Sequence, residues 1–180
     1  MKIISEEIPG VKLIQPNVFE DERGYFYESY NVNNLANIGI TEEFVQDNQS
    51  LSHRGVLRGL HFQNPPMAQG KLVRVVKGAV LDVVVDIRKN SDTYGQHYAV
   101  ELNEKNKLML WVPVGFAHGF CTLEDHTVFS YKCTNYYNPK SESGIMWNDP
   151  ALKINWNMEN PILSNKDTEN ALFSEFNSPF

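Results

Sequence analysis

The chain alternates apolar and polar residues over short stretches and carries no long amphipathic helix. The clearest run is Ala79–Ile87. Leu81, Val83, Val85 and Ile87 share one face there, and Val80, Asp82, Val84 and Asp86 share the other. A period of two with β-branched residues predicts a strand. Weaker runs of the same kind are Val11–Ile14, Gly24–Glu28, Gly55–Gln63, Lys71–Val76, Tyr98–Leu102, Lys107–Val112 and Thr127–Lys132. Lys77-Gly78, between two such runs, reads as a tight hairpin turn. Only Val32–Ala36 and a turn or two around Lys166–Leu172 read as helical. Eight or nine short strands separated by turn residues predict an all-β sandwich or small barrel. The polar tail after Trp156 is expected to wrap the surface.

Composition narrows the picture. A length of 180 residues predicts one domain over residues 1–180. Sixteen basic against 22 acidic side chains leave a net charge of -6, which argues against nucleic acid held on a broad basic face. Leu108–Ala117 is the most apolar run; it contains Pro113 and Gly115 and is far shorter than the ~20 residues that cross a bilayer. Glu6 and Glu7 stand where a signal peptide would be apolar. Cys121 and Cys133 have no CxxC spacing and read as free thiols of a reducing compartment. A cytoplasmic protein away from membranes is the expectation.

Polar residues inside apolar strands carry the chemistry. Arg58 and His61 lie in Gly55–Gln63, and Lys71 and Arg74 in the following strand. Singly, His61 would serve as a hydrogen-bonded core histidine, and Lys71 and Arg74 as strand-end residues reaching water. Together they repel one another and lose hydration unless an anionic ligand compensates them. Strict alternation points Arg58 away from His61, unless Gly59 marks a bulge. Pro113-Val114-Gly115-Phe116-Ala117-His118 delivers a second histidine at the start of a new strand. Tyr131 shares a face with Phe129 and Cys133, and Glu142 sits near a turn. A metal site is disfavoured. His61-Phe62-Gln63 supplies only one histidine of an HxH pair, and Lys71 competes with any divalent ion.

These segments resemble the dTDP-4-dehydrorhamnose 3,5-epimerases, a cupin family. The resemblance runs through Arg23–Glu28, Phe44–Asn48, Gly55–Gln63, Gln69–Val75, Asp86–Arg88, Pro113–Phe120, Tyr131–Tyr137 and Trp147–Pro150, so it spans essentially the whole chain. RGLHFQ followed by QGKLVRV is its most specific combination. It implies an all-β, cupin-type jelly-roll barrel with short peripheral helices, forming a homodimer by strand exchange, with no cofactor and no metal. It also implies roles: His61 as general base, Asp167 as the carboxylate that orients it, Lys71 at the enolate oxygen and Tyr131 as the acid on the far face. Substrate contacts would be Arg23, Phe26, Glu28, Gln46, Asn48, Arg58, Lys71, His118, Glu142 and Lys166, with Tyr137 stacked on thymine. Arg23, Phe26 and Glu28 would come from the partner subunit.

Such residues suit epimerisation beside a ketone. C3 and C5 of a nucleotide-linked 4-keto-6-deoxyhexose flank C4, so a base can remove either proton and leave an enolate. Inversion then needs a second group on the opposite face. An imidazole titrates near working pH, a phenol stays protonated, and a fixed cation stabilises the enolate oxygen. Guanidinium groups at Arg23 and Arg58 match the diphosphate. A 5-epimerase or single-centre epimerase would use the same set, a non-catalytic sugar-nucleotide-binding cupin would not need both faces armed, and a metal-dependent oxygenase lacks its ligands.

Overall fold

The computed structural model describes residues Met1 to Phe180 as thirteen strands, one short α-helix and two 3₁₀ turns. The strands are β1 (Lys2–Ser5), β2 (Lys12–Gln15), β3 (Phe19–Asp21), β4 (Gly24–Phe26), β5 (Gln46–Ser52), β6 (Leu57–Gln63) and β7 (Lys71–Lys77). They continue with β8 (Ala79–Asp86), β9 (His97–Asn103), β10 (Met109–Val112), β11 (Phe116–Thr122), β12 (Thr127–Cys133) and β13 (Glu142–Gly144). The helix is α1 (Val32–Ala36), capped by the Asn31 side chain, which accepts from the Asn33 and Asn34 amides. No helix is long and apolar enough to cross a membrane.

Two antiparallel sheets form a jelly-roll sandwich. One has the order β1-β2-β10-β7-β12-β5, the other β13-β6-β11-β8-β9, and β3 and β4 form a separate hairpin. The alternation in β8 is realised on both faces. Val80 and Val84 join the inter-sheet core with Val73, Val75, Leu110 and Phe129. Leu81, Val83 and Val85 face outward into a second core, so every residue of β8 is buried. The tail closes that second core: Trp156 is buried in it, and Phe173, Phe176 and Phe180 pack against it. Each square ångström of apolar surface they remove from water contributes about 25 cal/mol, which explains why so polar a tail is anchored. On the outer face of the first sheet, Leu35 and Ile40 cover Ile14, Leu72, Met109 and Trp111.

Two expectations are corrected. Lys77-Gly78 does not close a hairpin: β7 pairs with β10 and β12, while β8 pairs with β11 and β9. The turn instead carries the chain from one sheet to the other. Gly78 takes φ +79 there, and a Cβ on it would sit 2.3 Å from Thr127 Oγ1. The tail helix is shorter than Lys166–Leu172. It is a 3₁₀ turn, Asn165–Thr168, closed at its start by a capping box from Ser164 and Asp167. A second such turn follows at Phe173–Glu175. Sequence patterning also passes over β1, β3, β5 and β13. Three of them are only three or four residues long, and β5 is polar throughout except Leu51.

Candidate active site

The site lies between the sheets, where polar side chains interrupt the inter-sheet core. A cavity of about 420 Å³ is lined by residues of both sheets and of the tail. It adjoins a second of about 250 Å³ that shares Asn48, His61, Lys71, Tyr131 and Glu142 and adds Gln46 and Tyr137. His61 comes from β6 in one sheet; Lys71 on β7 and Tyr131 on β12 come from the other. Imidazole and phenol therefore enter the cavity from opposing walls.

A bulge brings Arg58 and His61 to the same side. His61 pairs with His118 and Arg58 with Phe120, so β6 spends one residue more than β11 between those pairs. The three-residue spacing that alternation would split across two faces is thereby reconciled. Gly59 permits it: its φ is +145, and a Cβ there would lie 2.5 Å from Gly119 Cα.

The tail supplies the carboxylate behind His61. His61 Nε2 lies 2.6 Å from Asp167 Oδ1, a close contact that is bent away from a linear ring N–H hydrogen bond. Ser164 donates its hydroxyl to Asp167 Oδ2 at 2.6 Å, and the Gly59 amide donates to Oδ1 at 3.3 Å. Burial opposes ionisation of Asp167, but the His61 ring and these donors outweigh it and hold the carboxyl at about 2.

Lys71 and Arg58 are cations without carboxylate partners. Arg58 reaches only the Ser52 hydroxyl, at 3.3 Å. Burial pulls the Lys71 ammonium below its ordinary value, while the carboxylates of Asp82 and Glu142 oppose that pull. Burial pushes the Tyr131 phenol up, so it remains a proton donor. At the mouth, Glu142 pairs with Lys166 and accepts a 2.6 Å hydrogen bond from the Tyr137 hydroxyl. Burial would raise the Glu142 carboxyl, but Lys166 and Tyr137 bring it below its usual range. No group of three or more His, Cys, Asp or Glu side chains is placed to hold a metal ion.

An imidazole with a carboxylate behind it, an ammonium without a carboxylate partner and a phenol thus converge on one cavity. The family model described as dTDP-4-dehydrorhamnose 3,5-epimerase matches residues 5–175. The chain belongs to that family. A dTDP-4-dehydrorhamnose 3,5-epimerase of Shigella flexneri is 52% identical over 174 residues, 96% of each chain. The crystal structure of the Bacillus anthracis enzyme, with TDP and PPi bound, is 48% identical and superposes with a TM-score of 0.94 over 96% of this chain and 99% of that one. A Legionella pneumophila epimerase in complex with dTDP-4-keto-L-rhamnose is likewise 48% identical, with a TM-score of 0.94 over 98% of this chain and 94% of that one.

Against the family expectation, the cavity gathers His61, Lys71, Tyr131, Asp167, Asn48, Arg58, His118, Glu142 and Lys166, with Gln46 and Tyr137 in the adjoining space. Three expected residues are absent from it. Arg23 and Phe26 lie on the β3–β4 hairpin, lining a separate surface pocket. Glu28 is exposed and accepts from the side-chain Nδ2 groups of Asn31 and Asn34 at 2.9 and 2.8 Å. Within one chain the hairpin does not fold over the cavity. Sequence reasoning missed Asp82, whose two oxygens each lie 3.0 Å from His118 Nε2. The signal was an acid between Val80 and Val84 on a face that packs inward. It also missed Ser164, legible as the first residue of an S-x-x-D cap.

Proposed function

We propose that the chain, one domain over residues 1–180, inverts C3 and C5 of dTDP-4-dehydro-6-deoxy-D-glucose without a cofactor. The product is dTDP-4-dehydro-L-rhamnose, in dTDP-L-rhamnose biosynthesis. The chain is an isomerase of the 3,5-epimerase family. The observation that carries the residue assignments is the facing of His61, backed by Asp167, and Tyr131 across a cavity that also holds Lys71.

In this reading His61 removes the proton beside the C4 ketone. The Asp167 carboxylate stabilises the imidazolium as it forms. The electron pair moves onto the C4 oxygen, where the Lys71 ammonium neutralises it; a fixed donor of that kind is worth roughly 2.7–4 kcal/mol. Tyr131 returns a proton from the other face. Protons alone move, so the balance needs no redox partner. Arg58 takes diphosphate oxygens, and Gln46, Asn48, Glu142 and Lys166 hold the nucleotide sugar with Tyr137 against the base.

A homodimer belongs to the same proposal. Phe19 and Phe26 on the β3–β4 hairpin are each 67% exposed, an arrangement that leaves apolar rings in water unless a second copy covers them. Exchange of this arm would carry Arg23, Phe26 and Glu28 to the partner's cavity. A cytoplasmic location goes with it, since Cys121 and Cys133 are free thiols.

The test is incubation with dTDP-4-keto-6-deoxyglucose in deuterated water. Label is expected at C3 and C5, with product NMR showing both centres inverted. Label at one carbon only would make this a single-centre epimerase. Nucleotide binding with no label at all would overturn the enzyme reading.

A further inference from the structure

The cavity contains a second imidazole–carboxylate pair that the reaction scheme above leaves unused. His118 on β11 stands directly across from His61 on β6, in register. Behind it lies Asp82 of β8, fully buried, both oxygens 3.0 Å from Nε2. His118 is its only side-chain partner. The neighbouring inward positions on β8 are Val80 and Val84, so packing at this depth is met by valine. A buried carboxylate costs several kcal/mol of hydration, and its effect here falls on one ring nitrogen. A carboxylate only accepts, so Nε2 must carry the hydrogen, and Nδ1 is the nitrogen left for the cavity that His118 lines.

We propose that Asp82 is a positioning residue: it holds His118 with Nε2–H turned away from the cavity and Nδ1 turned into it as an acceptor for a hydroxyl of the 4-keto hexose. This rests on the epimerase reading, and it gives the site an acceptor that complements the donors Lys71, Arg58 and Tyr131. Asp82 contributes in a second way, because its charge is one of those opposing the effect of burial on Lys71.

Two measurements test it. In the wild-type chain, ¹⁵N NMR of the His118 ring is expected to place the hydrogen on Nε2. A bare Nε2, or a hydrogen on Nδ1, would overturn the proposal whether or not the chain turns over substrate. In kinetics, Asp82→Asn is expected to lower kcat/KM about 10–100-fold, the range seen when the carboxylate behind a metal-bound imidazole is removed. In a His118→Asn background the same change should cost no more than about twofold. An equal loss in both backgrounds would mean that Asp82 acts through the fold and not through His118. If wild-type protein shows no isotope exchange, the epimerase reading fails, and the tautomer measurement still stands.

Discussion

His61 and Asp167 meet at 2.6 Å, one from the middle of a sheet and the other from a 3₁₀ turn of the tail. The tail therefore lines the candidate site as well as covering the outer core. Asp167→Asn keeps the size and removes the charge. Deuterium uptake at C3 and C5 is expected to slow roughly 10²–10⁴-fold. Uptake at the wild-type rate would remove Asp167 from the mechanism. His61→Ala should abolish uptake altogether.

Tyr131→Phe separates the two faces. The phenol hydroxyl has no hydrogen-bond partner within the chain, and burial keeps it protonated. Its loss should leave exchange by His61 in place while inversion at C5 fails. NMR of the product reads both. Equal inversion by wild type and variant would refute the acid assignment.

Gly59→Ala tests the bulge. The added methyl would meet Gly119 Cα at 2.5 Å in a left-handed backbone region. Both strands are central in their sheet and cannot separate without breaking the ladder between them. A loss of about 3 kcal/mol or more is expected by chemical denaturation, together with lost activity, because Arg58 and His61 move relative to each other.

Asp86 anchors the rim of the sandwich and sets part of its acid stability. Burial would raise its carboxyl, but Arg88, Ser91 and Thr93 hold it at about 2, against an ordinary 3.8. A lowered carboxyl stabilises the fold above its unfolded value, and that contribution fades as pH falls from about 4 through about 2. The wild type should exceed Asp86→Asn by about 2 kcal/mol at neutral pH, and urea titrations at pH 7 and pH 2.5 should show the gap narrowing. A gap that is constant with pH would assign the effect to packing.

Phe26→Asp addresses the arm. Sedimentation velocity is expected to give a dimer for the wild type and a shift to monomer for the variant, with the affinity for dTDP reduced. A wild type that sediments as monomer at every concentration would refute arm exchange.

The elements legible in the sequence were those whose pattern is set by burial. β8 shows period two because one of its faces meets the inter-sheet core and the other the tail. β5 shows no such signal because its inward residues, Gln46, Asn48 and Ser50, line the cavities and not the core. Polar residues in strands pointed to Arg58, His61 and Lys71, since isolated charges amid valine and leucine need a ligand. Asp167 and Lys166 became candidates only through the family resemblance, for nothing in a polar tail distinguishes one acid from the next.

Sequence by itself determined the strand-rich fold, the family, and the residue types able to move a proton beside a ketone. These are local properties, written in spacing and side-chain chemistry. Only the tertiary structure decided that Lys77-Gly78 crosses between sheets, that Asp82 backs His118, that the hairpin bearing Arg23 and Phe26 stands clear of the cavity, and that the tail returns to His61. Each of these depends on which strands pair and what packs against them, contacts between residues far apart along the chain that no local pattern specifies.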